Sequence, residues 1–115
     1  MPAAKFDITI DQGSDFEISV EVFENDAVKN LTGYFARSQL RQKLDASGAT
    51  SFDTSGSQLD ANGTVKIAMS NQVTKNIVAG AYVYDIEIFQ GTAPNETSVT
   101  RILQGKATVT GEVTR

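Results

Sequence analysis

Strict alternation of apolar and polar side chains is the feature that most constrains what this chain can fold into. Between residues 79 and 90, the sequence AGAYVYDIEIFQ places every second side chain on one face of an extended chain: Tyr82, Tyr84, Ile86 and Ile88. The same pattern recurs in KFDITI (5–10), DFEISVEVF (15–23) and TVKIAMS (64–70). A period of two predicts half-buried β-strands, because an amphipathic helix would repeat every 3.6 residues.

Turn signals separate these segments and define the predicted fold class. The dipeptide NG at 62–63 is typical of a type I′ hairpin turn, which needs positive φ at both positions, whereas ENDAVKN (24–30) predicts a polar loop. NQVTKNIVAG (71–80) predicts one helical turn, and SVTRILQGKATVTGEVT (98–114) predicts a long strand with a bulge or bend at Gly105. About seven strands, with turn signals roughly every 8–12 residues, are typical of an antiparallel β-sandwich.

Length and composition exclude several classes of function. A chain of 115 residues predicts one domain, residues 1–115. It has no cysteine and no histidine, which excludes disulfides, thiolate chemistry and the commonest metal ligand and general base. With 10 basic and 14 acidic residues and no basic patch apparent, binding to nucleic acid is not expected. We recognise no signal peptide and no membrane span, so we expect synthesis in a cytoplasm and no membrane contact.

Carboxylates are the only acid–base groups present in number. A hydrolase that acts through paired carboxylates needs two of them a few ångströms apart in a cleft. Glu17 and Glu21 would share one strand face, but they alternate with Phe16, Ile18 and Val20 and therefore point to solvent. We predict no catalytic, cofactor-binding or metal-binding residue and no enzymatic activity.

Asp85 is the unexpected residue in the segment described first, because it is charged and lies in an otherwise apolar run. The segment YFARSQLR (34–41) predicts a strand whose outward face carries Arg37 and Arg41. If the two strands are neighbours in one sheet, the Asp85 carboxylate can form a charge-assisted pair with one of these guanidinium groups. We therefore predict a structural pair of Asp85 with Arg37 and Arg41, and no acid–base role.

Four aromatic residues have a predicted role outside the general core. Tyr82 follows a short helical segment and a glycine at the start of a strand, which is the setting of the tyrosine corner in immunoglobulin-like sandwiches. Phe23, Phe35 and Phe89 lie on the strand faces opposite the main core. They either form an exposed interface or are covered within the fold, and the sequence leaves both alternatives open.

Four segments together resemble a known family of proteins: FDITIDQGSDFEISVEVF, NLTGYFARSQLR, AGAYVYDIEI and VTRILQGKATVTGEVTR. In this order they are similar to small virion proteins of tailed bacteriophages, including those of T4-like cyanophages, and to the immunoglobulin-like N-terminal domain of phage baseplate upper proteins. The resemblance implies an immunoglobulin-like antiparallel β-sandwich of about seven strands. It implies a location in the virion, and it carries over no catalytic residue.

The function implied by this resemblance is structural. The chain would be an adaptor or decoration subunit of the tail, baseplate or neck. It would bind other virion proteins, with a homo-oligomer within the particle as a further option, through strand edges, terminal arms and exposed aromatic residues. The alternative is a carbohydrate-binding or adhesive sandwich that recognises a host surface and stacks sugars on Tyr34 or Tyr82. The absence of tryptophan disfavours that alternative.

Overall fold

Nearly all the regular structure is β-strand, in a computed structural model that describes residues 3–43, 48–92 and 94–113. In chain order, the elements of the described residues are β1 (Ala4–Lys5), β2 (Ile8–Asp11), β3 (Phe16–Glu21), β4 (Phe23–Glu24), β5 (Ala27–Val28), β6 (Tyr34–Arg41), β7 (Thr50–Ser51), β8 (Thr64–Met69), α1 (Asn71–Thr74), β9 (Gly80–Gln90) and β10 (Thr97–Thr110). No helix within these ranges is long and apolar enough to cross a membrane.

The strands form a larger and a smaller sheet, with β4 and β5 in a separate hairpin. The larger sheet has the order β1–β10–β9–β6–β7, and β2 also pairs with β10. The smaller sheet consists of β3 and β8, which are antiparallel. This arrangement confirms the predicted all-β sandwich, but the described residues form ten strands instead of about seven, and β1 and β2 run parallel to β10 instead of antiparallel.

Alternating side chains of both sheets form one hydrophobic core. The phenyl ring of Phe52 links the sheets, because its centroid lies 6.0 Å from that of Phe16 on β3 and 6.2 Å from that of Tyr84 on β9. The other buried apolar residues are Ile8, Ile10, Leu31, Leu40, Val65, Ile67, Met69, Ile77, Ile86, Ile88, Leu103, Ala107 and Val109. The predicted inward faces of the segments at 64–70 and 79–90 are therefore confirmed.

The predicted turns were partly wrong. Asn25 and Asp26 have φ values of 55° and 63°, and they join β4 to β5 as the two-residue turn of a hairpin. Asparagine and aspartate tolerate this left-handed conformation better than most residues, so the segment predicted as a loop is a hairpin. At residues 62–63, only Gly63 has positive φ, and its N–H donates to the carbonyl of Asp60 over 3.1 Å. The type I′ turn predicted there is wrong.

Gly105 is not the site of a bulge. It pairs in register with Tyr84, and the register shifts of β10 lie between residues 97 and 100 and between residues 101 and 103. A Cβ atom at Gly105 would overlap the backbone carbonyl oxygen of Phe6, where the chain passes from β1 to β2. The glycine is thus required by close backbone approach.

Two hydrogen bonds hold this crossing in place. The N–H of Phe6 donates to the carbonyl of Gln104 over 2.9 Å, and the hydroxyl of Tyr84 donates to the carbonyl of Phe6 over 2.5 Å. Burial, together with the nearby Asp7 carboxylate, raises the pKa of Tyr84 to about 12. The Tyr84 hydroxyl therefore remains a donor throughout the neutral range.

Substitution of Gly105 tests the importance of this crossing. We expect Gly105→Ala to lower the free energy of unfolding by about 1–3 kcal/mol, because the added methyl group forces two paired backbones apart. Urea denaturation measures the difference. The matched control is Gly111→Ala, where the nearest atom to the new Cβ is the Ala79 Cβ at 3.9 Å. Equal effects of the two substitutions would contradict the argument.

Candidate binding face of the larger sheet

The outward side chains of β6, β9 and β10 form three cross-strand rows on the larger sheet. Strand register determines these rows, since directly opposed residues of antiparallel strands point to the same face. From β6 through β9 to β10 the rows are Arg37–Glu87–Arg101, Gln39–Asp85–Gln104 and Arg41–Val83–Lys106. Beyond the first row, Phe35 lies opposite Phe89.

Ion pairs connect the first row to its surroundings. The Nε of Arg37 donates to Glu87 Oε1 and its Nη1 donates to Glu96 Oε2, each over 2.8 Å. These bonds to two carboxylates raise the pKa of Arg37, and the bond from Arg37 lowers the pKa of Glu96. The guanidinium also lies over the Phe89 ring, with Cζ 4.6 Å from the centroid. The described hydrogen bonds and the ring contact of Arg37 are therefore made with Glu87, Glu96 and Phe89.

The arginine that forms an ion pair with Asp85 differs from the two that the sequence predicted. The sequence predicted a pair with Arg37 and Arg41, but Asp85 lies opposite Gln39, and its Oδ2 is 3.3 Å from Nε of Arg101. Arg41 donates to Gln39 Oε1 over 2.9 Å. The prediction that β6 and β9 are adjacent in one sheet is confirmed. The cation that pairs with the Asp85 carboxylate, however, is Arg101 of β10.

A bulge explains why Arg101 was missed. Period-two alternation would place Arg101 and Leu103 on the same face, yet Arg101 is exposed and Leu103 is buried. Their partners on β9, Glu87 and Ile86, are consecutive, whereas Arg101 and Leu103 are two steps apart on β10, so the bulge turns Arg101 outward. In the sequence, the charged Arg101 and the apolar Leu103 stand two positions apart, where regular alternation would place them on the same face. This conflict is the signal that could have revealed the bulge.

The electrostatic environment of Asp85 disfavours its charged form. Burial and the neighbouring Glu87 carboxylate raise the pKa of Asp85, while Arg101, Arg37 and Arg41 lower it by a smaller amount. Asp85 and Glu87 each contact an arginine. We therefore interpret the two carboxylates as members of a charge network that orders the face.

Together the rows line a concavity of about 740 Å³. Among the described residues, its lining includes five cationic residues, Lys5, Arg37, Arg41, Arg101 and Lys106, and two acidic residues, Asp85 and Glu87. The chain as a whole has more acidic than basic residues. Sequence analysis did not detect this basic concavity because its cations come from β1, β6 and β10, which only the folded sheet brings together.

The predicted aromatic interface divides into two parts. Phe35 is 49% exposed, and its ring centroid lies 5.8 Å from that of the half-buried Phe89. Phe23 is also exposed, but it lies opposite Val28 on the β4–β5 hairpin. Phe35 and Phe89 therefore form one apolar patch beside the concavity, and Phe23 belongs to another surface.

The tyrosines considered for sugar stacking are engaged within the fold. Tyr34 is half-buried, with Nζ of Lys29 located 5.3 Å from its ring centroid. The hydroxyl of Tyr82 donates to the carbonyl of Val78 over 2.6 Å, which is the geometry of a tyrosine corner. Within the described residues, no group of three or more acidic side chains is arranged to hold a metal ion.

The raised pKa of Asp85 predicts a pH-dependent stability. The folded state holds the Asp85 proton more tightly than the unfolded state does, because the pKa of this carboxyl is raised on folding. The stabilisation that this proton gives to the folded state is therefore fully present at pH values below the pKa of the unfolded state. It is lost as pH rises through the pKa of the folded state. We expect Asp85→Asn to unfold with a higher free energy than the parent at neutral pH. The gain should stay below ~1 kcal/mol, because the side chain is 35% exposed.

Denaturation at a series of pH values provides the measurement for Asp85→Asn. The gain should shrink toward acid pH, where the parent carboxyl becomes neutral. Glu21→Gln, on the exposed face of β3, is the matched control for removing one acidic charge. A loss of stability in Asp85→Asn at neutral pH would show instead that the ion pair with Arg101 outweighs burial.

Removal of one hydroxyl group tests the tyrosine corner. Tyr82→Phe should lower the free energy of unfolding by about 0.5–1.5 kcal/mol, because it deletes the hydrogen bond to Val78 and keeps the ring. Tyr82→Leu should cost more, since the ring also packs against the core. Urea denaturation distinguishes these effects, and an unchanged midpoint for Tyr82→Phe would refute the predicted role.

Comparison with known proteins identifies a shared fold. No protein-family model and no curated protein matches the sequence. Among solved structures, the chain is similar to the N-terminal domain of ORF48 of phage TP901-1, with a TM-score of 0.57, 16% identity, and coverage of 89% of this chain and 82% of that chain. It also matches AggA, the major subunit of aggregative adherence fimbriae type I from Escherichia coli, at a TM-score of 0.38 and 11% identity, over 90% of this chain and 89% of that chain. At 16% identity, the likeness to the phage domain shows a shared fold alone. The TM-score of 0.38 for the fimbrial subunit is too low to support any argument.

Proposed function

We propose that this chain is a non-enzymatic structural protein of a bacteriophage virion, an adaptor or decoration subunit of the tail, baseplate or neck. It acts by binding other virion proteins. The observation that carries this proposal is the likeness to a phage protein domain over 89% of the chain. The sequence resemblance to baseplate upper proteins supports the same assignment independently of the strand geometry.

The outer face of the larger sheet has properties suited to protein binding. The apolar patch of Phe35 and Phe89 adjoins a concavity with several charged and amide side chains. An aromatic centre beside polar groups that define orientation is the usual composition of a protein–protein interface. We assign the first contact surface to this face and a second to Phe23 on the β4–β5 hairpin.

The arrangement of carboxylates supports a non-enzymatic role. Asp85 and Glu87, the acidic residues of the concavity, lie against Arg101 and Arg37 respectively. Burial and the neighbouring Glu87 raise the pKa of Asp85, but structural ion-pair networks perturb pKa values in the same way, and each of these two carboxylates is paired with an arginine. The described carboxylates of this face thus balance the arginines and orient them toward a partner.

Quantitative mass spectrometry of purified virus particles tests the proposed location. Particles are prepared from the phage or lysogen that encodes the chain, and its copy number is measured against the major capsid protein. We expect a constant stoichiometry, with a multiple of three or six indicating the symmetry of a tail or baseplate and a far larger number indicating head decoration. Absence of the chain from washed particles would overturn the proposal.

A substitution in the apolar patch tests the proposed contact surface. Phe35→Ser should reduce incorporation into particles by about tenfold, as expected for loss of a central aromatic contact worth roughly 1.4 kcal/mol. The matched control is Val73→Ser on α1, another exposed apolar residue. Both isolated variants should keep the parental circular-dichroism spectrum. Incorporation of Phe35→Ser at the parental level would exclude this face as the contact surface.

A further inference from the structure

The two strands of the smaller sheet are unequally buried. Phe16, Ile18 and Val20 of β3 lie directly opposite Met69, Ile67 and Val65 of β8 and point to the same face. The β8 residues are 3%, 0% and 0% exposed, respectively, whereas all three β3 residues are only half-buried. Directly opposed residues on one face of a sheet pack against the same layer. The difference in solvent exposure between β3 and β8 must therefore come from the segments that lie beside each strand.

The difference arises from what lies beside each strand. The outer edge of β8 is covered by residues 52–58: Asp53 and Ala68 exchange backbone hydrogen bonds of 2.7 and 2.9 Å, and the N–H of Gln58 donates to the carbonyl of Thr64 over 3.0 Å. Phe52 follows the same path and is 5% exposed. Within residues 3–43, 48–92 and 94–113, no strand pairs with the other edge of β3.

The backbone of β3 presents hydrogen-bonding groups along this open edge. The N–H of Val22 donates to the carbonyl of Gly63 over 2.8 Å, which continues the register of β3 and β8. Because N–H and C=O groups alternate sides along an antiparallel strand, those of Glu17, Ser19 and Glu21 point away from β8. An unpaired row of this kind is a template for another strand.

Contacts at both ends hold the edge in its extended conformation. At the start of β3, Asp15 Oδ1 accepts bonds of 2.7 and 3.0 Å from the N–H and Nδ2 of Asn71, and Thr74 Oγ1 donates to the carbonyl of Ser14 over 2.8 Å. At its end, the N–H of Lys29 donates to the carbonyl of Val22 over 2.7 Å. A preordered edge loses little conformational entropy on binding.

We propose that the open edge of β3 binds an extended segment of a partner protein in which apolar and basic residues alternate. This inference deepens the proposed function and rests on it for the identity of the partner as a virion protein. The added strand would pair with the backbone of Glu17, Ser19 and Glu21. Its apolar side chains would cover Phe16, Ile18 and Val20.

The outward side chains of β3 determine the charge of the partner. Glu17 and Glu21 are both exposed, and opposite charges on directly opposed residues stabilise a pair of strands. Glu17 already lies 3.1 Å from Nζ of Lys66 on the β8 side, which shows that this face accepts cations. Lysine or arginine at alternate positions of the added strand would continue this arrangement across β3.

The same charges argue against a second copy as the occupant. Two copies of β3 paired about Ser19 would place Glu17 of each copy opposite Glu21 of the other, and like charges at directly opposed positions destabilise a sheet. The net charge of −4 adds a general repulsion between copies. The edge therefore selects a basic segment of a different protein.

Amide hydrogen exchange of the complete chain tests the proposal with a defined probe. The probe is a short capped peptide in which lysine alternates with isoleucine, and the matched control peptide has glutamate in place of lysine. The lysine peptide should slow exchange at Glu17, Ser19 and Glu21 by about tenfold or more at saturation, because these amides become hydrogen-bonded. The glutamate peptide should leave them unchanged.

A pair of variants at Ser19 separates strand addition from other kinds of binding. Ser19→Pro removes one N–H from the open edge, a position where proline is tolerated because no ladder bond is lost. It should abolish protection by the lysine peptide, whereas Ser19→Ala, which keeps the amide, should bind like the parent. Should Ser19→Pro not fold, the double variant Glu17→Lys with Glu21→Lys provides the test, since it should reverse the preference toward the glutamate peptide.

Three outcomes would overturn the inference. Equal protection by both peptides would refute the basic partner, and no protection by either would refute strand addition. Protection that rises with protein concentration, without peptide, would identify a second copy as the occupant. The proposed function is tested separately in virus particles. If Ser19→Pro is incorporated at the parental level, strand addition at β3 is refuted and the virion role is not. If the parent chain is absent from particles, the virion role is refuted, and binding of the lysine peptide at β3 is not.

Discussion

The crossing of the N-terminal segment over β10 is the contact on which the rest of the architecture depends. At Gly105 two backbones approach more closely than any side chain permits, and the Phe6 carbonyl accepts a hydrogen bond from Tyr84 at the same point. Next to it, Asp7 Oδ1 accepts the N–H of Lys106 over 3.0 Å. These contacts direct both β1 and β2 to β10, so that the beginning and the end of the described chain lie in one sheet.

This placement makes the two sheets unequal. The larger sheet gains its first strands from the N-terminal segment and presents a broad outer face, where charged rows surround the concavity. Within the part of the chain that the structure describes, the smaller sheet consists of β3 and β8, so β3 has an open edge and a partly uncovered inner face. The two proposed binding surfaces, one a face and the other an edge, thus have a common structural origin.

Local patterns in the sequence predicted most of the strands and their faces, because alternation along a strand is a local property. They could not predict interactions that depend on register. Asp85 was expected to pair with arginines of β6, and the bulge in β10 instead turns Arg101 toward it. The Asn25–Asp26 hairpin was missed because the flanking strands have two residues each, too few for alternation to be recognised.

By itself, the sequence determined an all-β sandwich, the inward positions of β8 and β9 and the absence of histidine and cysteine chemistry, since each follows from residue type or from spacing along the chain. Only the tertiary structure decided the complete strand order and the register of each pair. That choice assembled cations from separate strands around Asp85, explained Gly105 as a point of backbone contact, and left β3 without a second partner among the described residues. Strand pairing is a long-range property, governed by backbone hydrogen bonds and close packing that no single segment encodes.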